Sequence, residues 1–268
     1  MYCIWLNKYR VSFLSDAIND ASNFLSFDDA MALCGDDVRL DQIVATSRGC
    51  DVYGKTRLTK DIFCRLLSTD GENSKMSTDQ VSVFLEAICK EKNKNNGVVK
   101  YRWVHPTLVE SGLELNLLSK LEHALADWGL DLNMEKDSFR LLIPVFLPAS
   151  AHWYPIFCSA KIENDIWVSE VFCSDSLGTP MDHKTHMLLV KAWLEKTTKR
   201  KWAYGYRHSE LQRDVTACGF YMLRNFMKWL EPELWGGALT LQDNGSVFGL
   251  LQFKKFMMRV IASQGMQL

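Results

Sequence analysis

The stretch Leu141–Ala160, LLIPVFLPASAHWYPIFCSA, decides how this chain folds. It holds no Asp, Glu, Lys or Arg, and it is as long as the roughly 20 residues a helix needs to cross a bilayer. A spanning helix is nevertheless the wrong reading. Pro144, Pro148 and Pro155 would each interrupt the hydrogen bonds of a helix, and His152 would bury a polar ring in lipid. Two β-strands joined by a short loop accommodate the same residues.

Working outward, Phe139–Leu147 and Trp153–Ala160 become neighbouring strands, and Ile166–Ser174 is a third β-type run. A hairpin around Glu163-Asn164-Asp165 joins the last two, with Asp165 expected at its tip. Trp202–Tyr206 reads as a further short strand. Helices are expected at Met76–Lys90, where Val81, Phe84, Leu85 and Ile88 share a face and Ser77 or Thr78 can cap. They are also expected at Gly112–Gly129, after an Asp182 cap before Met187, Val190, Trp193 and Leu194, at Cys218–Leu230, and at Val247–Ile261. The expected fold class is α+β, a central, mainly antiparallel sheet flanked by helices. Residues 1–53 differ from the rest. Ser15–Leu33 reads as a helix whose polar positions are mostly acidic, so 1–53 is expected as a helical N-terminal extension and 54–268 as the main domain.

Composition removes several functional classes. Hydrophobic residues at 47% and charged residues at 24% are ordinary globular values. Lys and Arg number 31 against 32 Asp and Glu, a formal charge of -1, so net charge gives no support for nucleic-acid or anionic-membrane binding. Met1–Phe13 lacks the basic start, apolar run and cleavage site of a secretory signal, so a reducing cytoplasmic or nuclear compartment is expected. None of the 8 cysteines lies in a C-x-x-C spacing, which excludes zinc ribbons and thioredoxin-type motifs. His183-x-x-His186 places two imidazoles on one helix face without an evident third ligand, so no metal and no cofactor are expected.

Nucleophilic chemistry by sulfur requires a thiolate, a base within hydrogen-bond reach, and a group that orients the base. Cys218 is followed by Gly219 and an apolar-periodic helix, which places it at a helix N-terminus, where unpaired N–H groups favour a thiolate. His152 opens a strand. Asp175 ends the run Ile166–Ser174, so a neighbouring strand can bring its carboxylate to the imidazole. Gln212, six residues before Cys218, has an amide able to share an oxyanion hole with the Cys218 N–H. Each is weak alone: Cys-Gly recurs at Cys34, and a core histidine, a turn-capping aspartate or a buried thiol would look the same.

The order of these residues says more. LLIPVFLPASAHW, then VFCSDSLG, then QRDVTACGFYML resembles the ubiquitin-like-protein-specific cysteine proteases, the SUMO-deconjugating family related to the adenovirus-type protease. LTKDI at Leu58–Ile62 and MSTDQVSVFLEAI from Met76 resemble the segment that opens that family's domain. The resemblance implies a papain-like cysteine protease that cleaves after the C-terminal Gly-Gly of ubiquitin or a ubiquitin-like modifier. It makes Cys218 the nucleophile, His152 the base and acid, Asp175 the orienting carboxylate and Gln212 the oxyanion donor. Trp153 becomes a wall of the channel for the Gly-Gly tail. Met76 stands where the family usually has a second channel tryptophan, and Trp103 is the candidate to replace it. Ala217 replaces the usual Asp before the nucleophile. The implied partner is the modifier with its conjugates, and the implied location is cytoplasm or nucleus, or host cytosol for a pathogen effector. Three other readings share these residues: an acetyltransferase of the bacterial-effector type, which usually carries Glu at the place of Asp175; a peptide-specific polyprotein protease; and a degenerate binding module.

Overall fold

Prolines in the middle of a sheet need strands that make no demand on their missing N–H groups, and the architecture is built around that need. The computed structural model describes residues 75–95, 98–108, 114–128, 132–164, 166–178, 183–209, 211–212 and 216–230, with isolated positions 253 and 257. The chain divides into two compact units, Met1–Ile88 with Leu239–Leu268, and Cys89–Ala238. Helix α1 (Thr78–Asn95) opens with a reciprocal cap, in which Gln80 N–H donates to Ser77 Oγ at 3.3 Å and Ser77 N–H to Gln80 Oε1 at 2.9 Å. In the first unit, Phe84 meets Phe253 edge-on with ring centroids 6.1 Å apart.

The second unit holds the sheet. Its strands are β1 (Val99–Trp103), β2 (Thr107–Leu108), β3 (Ser138–Leu147), β4 (His152–Glu163), β5 (Ile166–Cys173) and β6 (Ala203–Tyr206), in the order β1-β3-β4-β5-β6, with β2 also on β3. The apolar stretch that opened the sequence reading is the β3–β4 hairpin, turned by Pro148–Ser150. The two long central pairings, β3–β4 and β4–β5, are antiparallel as expected. The pairings of β1 and β2 with β3, and of β5 with β6, are parallel, so the sheet is mixed.

Pro144 and Pro155 face one another across β3 and β4. Neither can donate, so they form a pair whose backbone groups point outward to the next strands. On the β3 side, Pro144 falls in the gap between the last β1 pair, Trp103 with Leu142, and the first β2 pair, Thr107 with Val145. On the β4 side, Pro155 lies one residue before the first β5 pair, Ile156 with Cys173. Neighbouring strands therefore stop where the prolines have nothing to offer.

Both faces of the sheet are covered. Phe139, Leu141, Ile143 and Val145 of β3 align with Ala160, Cys158, Ile156 and Tyr154 of β4 on one face. They join Leu117 and Leu121 of α2 (Glu114–Trp128) and Met187, Val190 and Leu194 of α3 (Lys184–Thr198) in one buried core. On the opposite face, Phe157 and Phe172 lie 4.8 Å apart and pack on Trp229 of α4 (Cys218–Leu230), at 5.0 and 4.6 Å between centroids. Such aromatic contacts add about 0.5–1.5 kcal/mol each beyond burial.

The β4–β5 hairpin closes through two residues between Glu163 and Ile166, with Asn164 left-handed at φ 49°. Asp165, the expected tip, lies outside the described residues, as do the helix at Ser15–Leu33, the Asp182 cap and Leu58–Ile62. Of the expected helix at Val247–Ile261, only Phe253 and Met257 are described, and both are helical and buried. The residue at the N-cap position of α3 is His183, and its side chain makes no capping bond. No described helix is long and apolar enough to cross a membrane.

Helix α4 is anchored at its far end by Arg140 of β3, whose Nη1 donates to the Trp229 and Leu230 carbonyls at 3.3 Å each. These carbonyls have no partner within the helix. Replacing Arg140 with Met is therefore expected to cost about 1–2 kcal/mol of stability, seen as a lower urea midpoint with unchanged slope.

Candidate active site

The strand register brings the expected residues together. Ile156 pairs with Cys173, so continuing the register by two residues sets Asp175 opposite Tyr154. His152 is then its diagonal neighbour on the same face, within reach of a carboxylate. The chain turns away at this point: Gly178 N–H closes a turn onto the Asp175 carbonyl at 3.1 Å, and Gly178 takes a left-handed φ of 71°. The freed Asp175 side chain bonds His152 Nε2 through Oδ1 at 2.8 Å. The Leu177 N–H also donates to Oδ1, at 2.8 Å.

Cys218 is the first residue of α4, as expected. Its Sγ lies 3.5 Å from the Trp153 backbone nitrogen, which donates to it, and 3.8 Å from the Ala151 carbonyl. N–H groups alternate sides along a strand, so Trp153 directs its N–H to the side Pro155 faces, where β5 has ended. The sulfur takes the position a β5 backbone would otherwise hold. His152 interacts with both the Asp175 carboxylate and the Cys218 thiol. With Nε2 committed to Asp175, Nδ1 is the ring nitrogen left for the sulfur. His152, Asp175 and Cys218 are only 4%, 7% and 4% exposed.

Burial alone would lower the His152 pKa, but the hydrogen bonds and charges of Asp175 and Cys218 outweigh it and raise the value to about 9. Burial would likewise raise Asp175, yet the bonds from His152, His183 and the Leu177 amide hold its carboxyl far below the usual range. Elsewhere in the sheet, burial pushes the Cys158 and Cys173 thiols well up, which leaves them inert.

Gln212 is fixed from the Asp175 side. Its N–H donates to the Ser176 carbonyl at 2.9 Å, and the Ser176 hydroxyl donates to its Oε1 at 2.6 Å. That bond turns the amide NH2 away from Ser176. Trp153 is buried with its ring 4.8 Å from that of Phe146. Trp103 is placed elsewhere. It shares a row with Leu142 and Phe157, five residues along β4 from His152, which is about 16 Å along the strand axis. Met76 is buried just before α1, in the first unit.

The sequence reading missed His183. Its Nε2 lies 2.5 Å from Asp175 Oδ2, and its ring stacks on Tyr154 with centroids 3.7 Å apart and planes 11° from parallel. His186 turns instead to the Tyr154 hydroxyl, and burial above all keeps that phenol protonated. The pair read as an incomplete metal motif does have a carboxylate close by, Asp175, but the two imidazoles have different partners. Among the described residues no three His, Cys, Asp or Glu side chains form a metal-binding group.

No protein-family model and no curated protein sequence matches the chain. Solved structures do. The SUMO protease Ulp1 with its catalytic cysteine oxidized to a sulfinic acid superposes with a TM-score of 0.54 at 15% identity, over 84% of this chain and 94% of that one. The sulfonic acid form gives 0.54 at 14% identity, over 90% and 96%. The C-terminal Ulp1 protease domain in complex with Smt3, the yeast ortholog of SUMO, gives 0.51 at 15% identity, over 84% and 93%. The chain has a Ulp1-protease-like fold. This likeness covers the α+β architecture and the mixed sheet.

The electrostatics set a pH signature. Asp175 titrates lower in the folded chain than unfolded, so its contribution to stability is present above about pH 4 and is lost as pH falls below that. His152 titrates higher when folded, so its contribution is full below 6.5 and fades as pH rises to about 9. The stability lost on Asp175→Asn should thus be largest between about pH 4 and 6.5 and shrink by pH 9.5, as read from urea unfolding across that range.

Proposed function

We propose that this chain is a cysteine isopeptidase that cleaves after the C-terminal Gly-Gly of ubiquitin or a ubiquitin-like modifier. The observation that carries the reading is His152 held between the Asp175 carboxylate and a Cys218 thiol at the start of a helix. Its support is the coincidence of this geometry with a Ulp1-protease-like fold. On the same reading, residues 54–268 form the catalytic domain, 1–53 an N-terminal extension, and the site of action is cytoplasm or nucleus.

The chemistry follows from which atoms can carry protons. With its pKa raised to about 9, His152 holds a proton at neutral pH, and the reaction starts from Cys218 in its thiolate form. The thiolate attacks the carbonyl carbon of the terminal glycine, and the carbonyl electrons move to oxygen. That oxyanion is met by the Cys218 N–H, which belongs to a helical turn without internal acceptors, and by the Gln212 amide. As the oxyanion collapses, the bond to the lysine amine breaks and His152 Nδ1 supplies the amine's proton. The neutral imidazole then takes a proton from water, whose oxygen attacks the thioester. The C–S bond breaks, the modifier leaves as a carboxylic acid that ionises, and the thiolate–imidazolium pair is restored. Trp153 and its neighbours would wall a channel too narrow for side chains, which selects glycine.

A panel of modifiers bearing C-terminal electrophiles tests this. Wild-type protein should form a covalent adduct with ubiquitin, SUMO or another modifier of the class, and Cys218→Ala should form none. His152→Ala should slow the reaction by about 10³-fold and Gln212→Ala by about 10²-fold. Failure of wild type to react with any modifier would overturn the proposal.

A further inference from the structure

The carboxylate of Asp175 serves two histidines. Oδ1 accepts from His152 and from the Leu177 amide, while Oδ2 is held by His183 Nε2. Both imidazoles are buried, His183 at 2% exposure. His183 occupies the N-cap position of α3 yet makes no capping bond there, so its side chain is given over to Asp175 at the expense of the usual local role. Its other nitrogen, Nδ1, is buried with no hydrogen-bond partner among the described residues. A proton on Nδ1 would be left without an acceptor, so the tautomer that fits carries its hydrogen on Nε2 and donates it to Oδ2. Tyr154, stacked flat on the ring, prevents it from swinging aside.

We propose that His183 is a positioning residue of the catalytic centre, fixing Oδ2 of Asp175 so that Oδ1 stays aimed at His152 Nε2. The inference rests on the cysteine-protease reading above and adds a fourth side chain to the Cys218–His152–Asp175 group. A carboxylate held at one oxygen can rotate about its terminal torsion, which is soft; one held at both cannot. The ionisable groups that face this cluster are Tyr154 from β4, Cys173 from β5, His186 from α3 and Cys218 from α4. Burial holds Tyr154 and Cys173 in their neutral forms. An imidazole at 183 thereby supports the proton affinity of His152 without touching the sulfur or the substrate.

The test uses iodoacetamide on the full-length protein, with alkylation of Cys218 followed by mass spectrometry from pH 5 to 10. This readout needs no modifier. His183→Gln retains an N–H donor at the reach of Nε2, whereas His183→Leu removes it and His183→Asn is one bond too short. At pH 7 we expect His183→Leu and His183→Asn to alkylate about 10-fold more slowly than wild type, with a pH midpoint displaced from the wild-type one. His183→Gln should stay within about 3-fold of wild type, because the donor is preserved. Near-UV circular dichroism identifies any variant that fails to fold; if His183→Leu does, the comparison of Asn with Gln decides. Wild-type rates and midpoints in the Leu and Asn variants would overturn the inference, as would a folded Gln variant as slow as Asn. A wild-type Cys218 that behaves as an ordinary thiol, unchanged by His152→Ala, would instead remove the cysteine-protease reading itself.

Discussion

The site depends on where β5 stops. Pro155 offers no N–H to a strand on its β5 side, and the antiparallel ladder begins one residue later, at Ile156 with Cys173. Because β5 ends there, two things become possible at once. Asp175 leaves the sheet on the face that carries His152, two positions along β4 from its own register mate. The backbone N–H of Trp153, which would have joined a longer β5, is left for the sulfur of Cys218. A β5 two residues longer would compete for both. The arrangement of Cys218, His152 and Asp175 is in this sense a consequence of a strand terminus beside Pro155.

That terminus also sets the electrostatics. Asp175 is nearly buried, a position that ordinarily favours a protonated acid, yet three donors converge on its two oxygens. Their combined hydrogen bonding outweighs the desolvation, keeping the negative charge in place and so the proton on His152. The cysteines one strand away follow the opposite rule. Cys158 and Cys173 are fully buried, and burial above all holds them as thiols.

Much of this was legible in the chain and some was not, for physical reasons. The β3–β4 hairpin declared itself because three prolines and a histidine in an uncharged run exclude a helix. Helix α4 declared itself because a glycine followed by periodic apolar residues marks a helix start. These are local signals. The parallel pairings at both edges of the sheet were not foreseen, since β1 meets β3 across an entire helix and no local pattern records that partnership. Trp103 fails as a neighbour of Trp153 for the same reason: its distance from His152 is set by register with Leu142, not by composition. His183 was visible as half of an H-x-x-H spacing, but its meaning lay in a carboxylate eight residues back, across a turn whose geometry depends on Gly178.

The same reasoning accounts for a fold shared with Ulp1 at 14–15% identity and a TM-score of 0.54. In this chain the positions that bring the candidate site together are few: Pro155 beside the first β5 pair, His152 and Asp175 in register beyond it, and Gly219 after Cys218 at a helix start. Around them, the sheet asks only for apolar residues of suitable volume on both faces, a demand many sequences meet. Backbone groups supply a donor to Cys218, a donor to Asp175 and the main-chain bond that fixes Gln212, and none of these depends on side-chain identity.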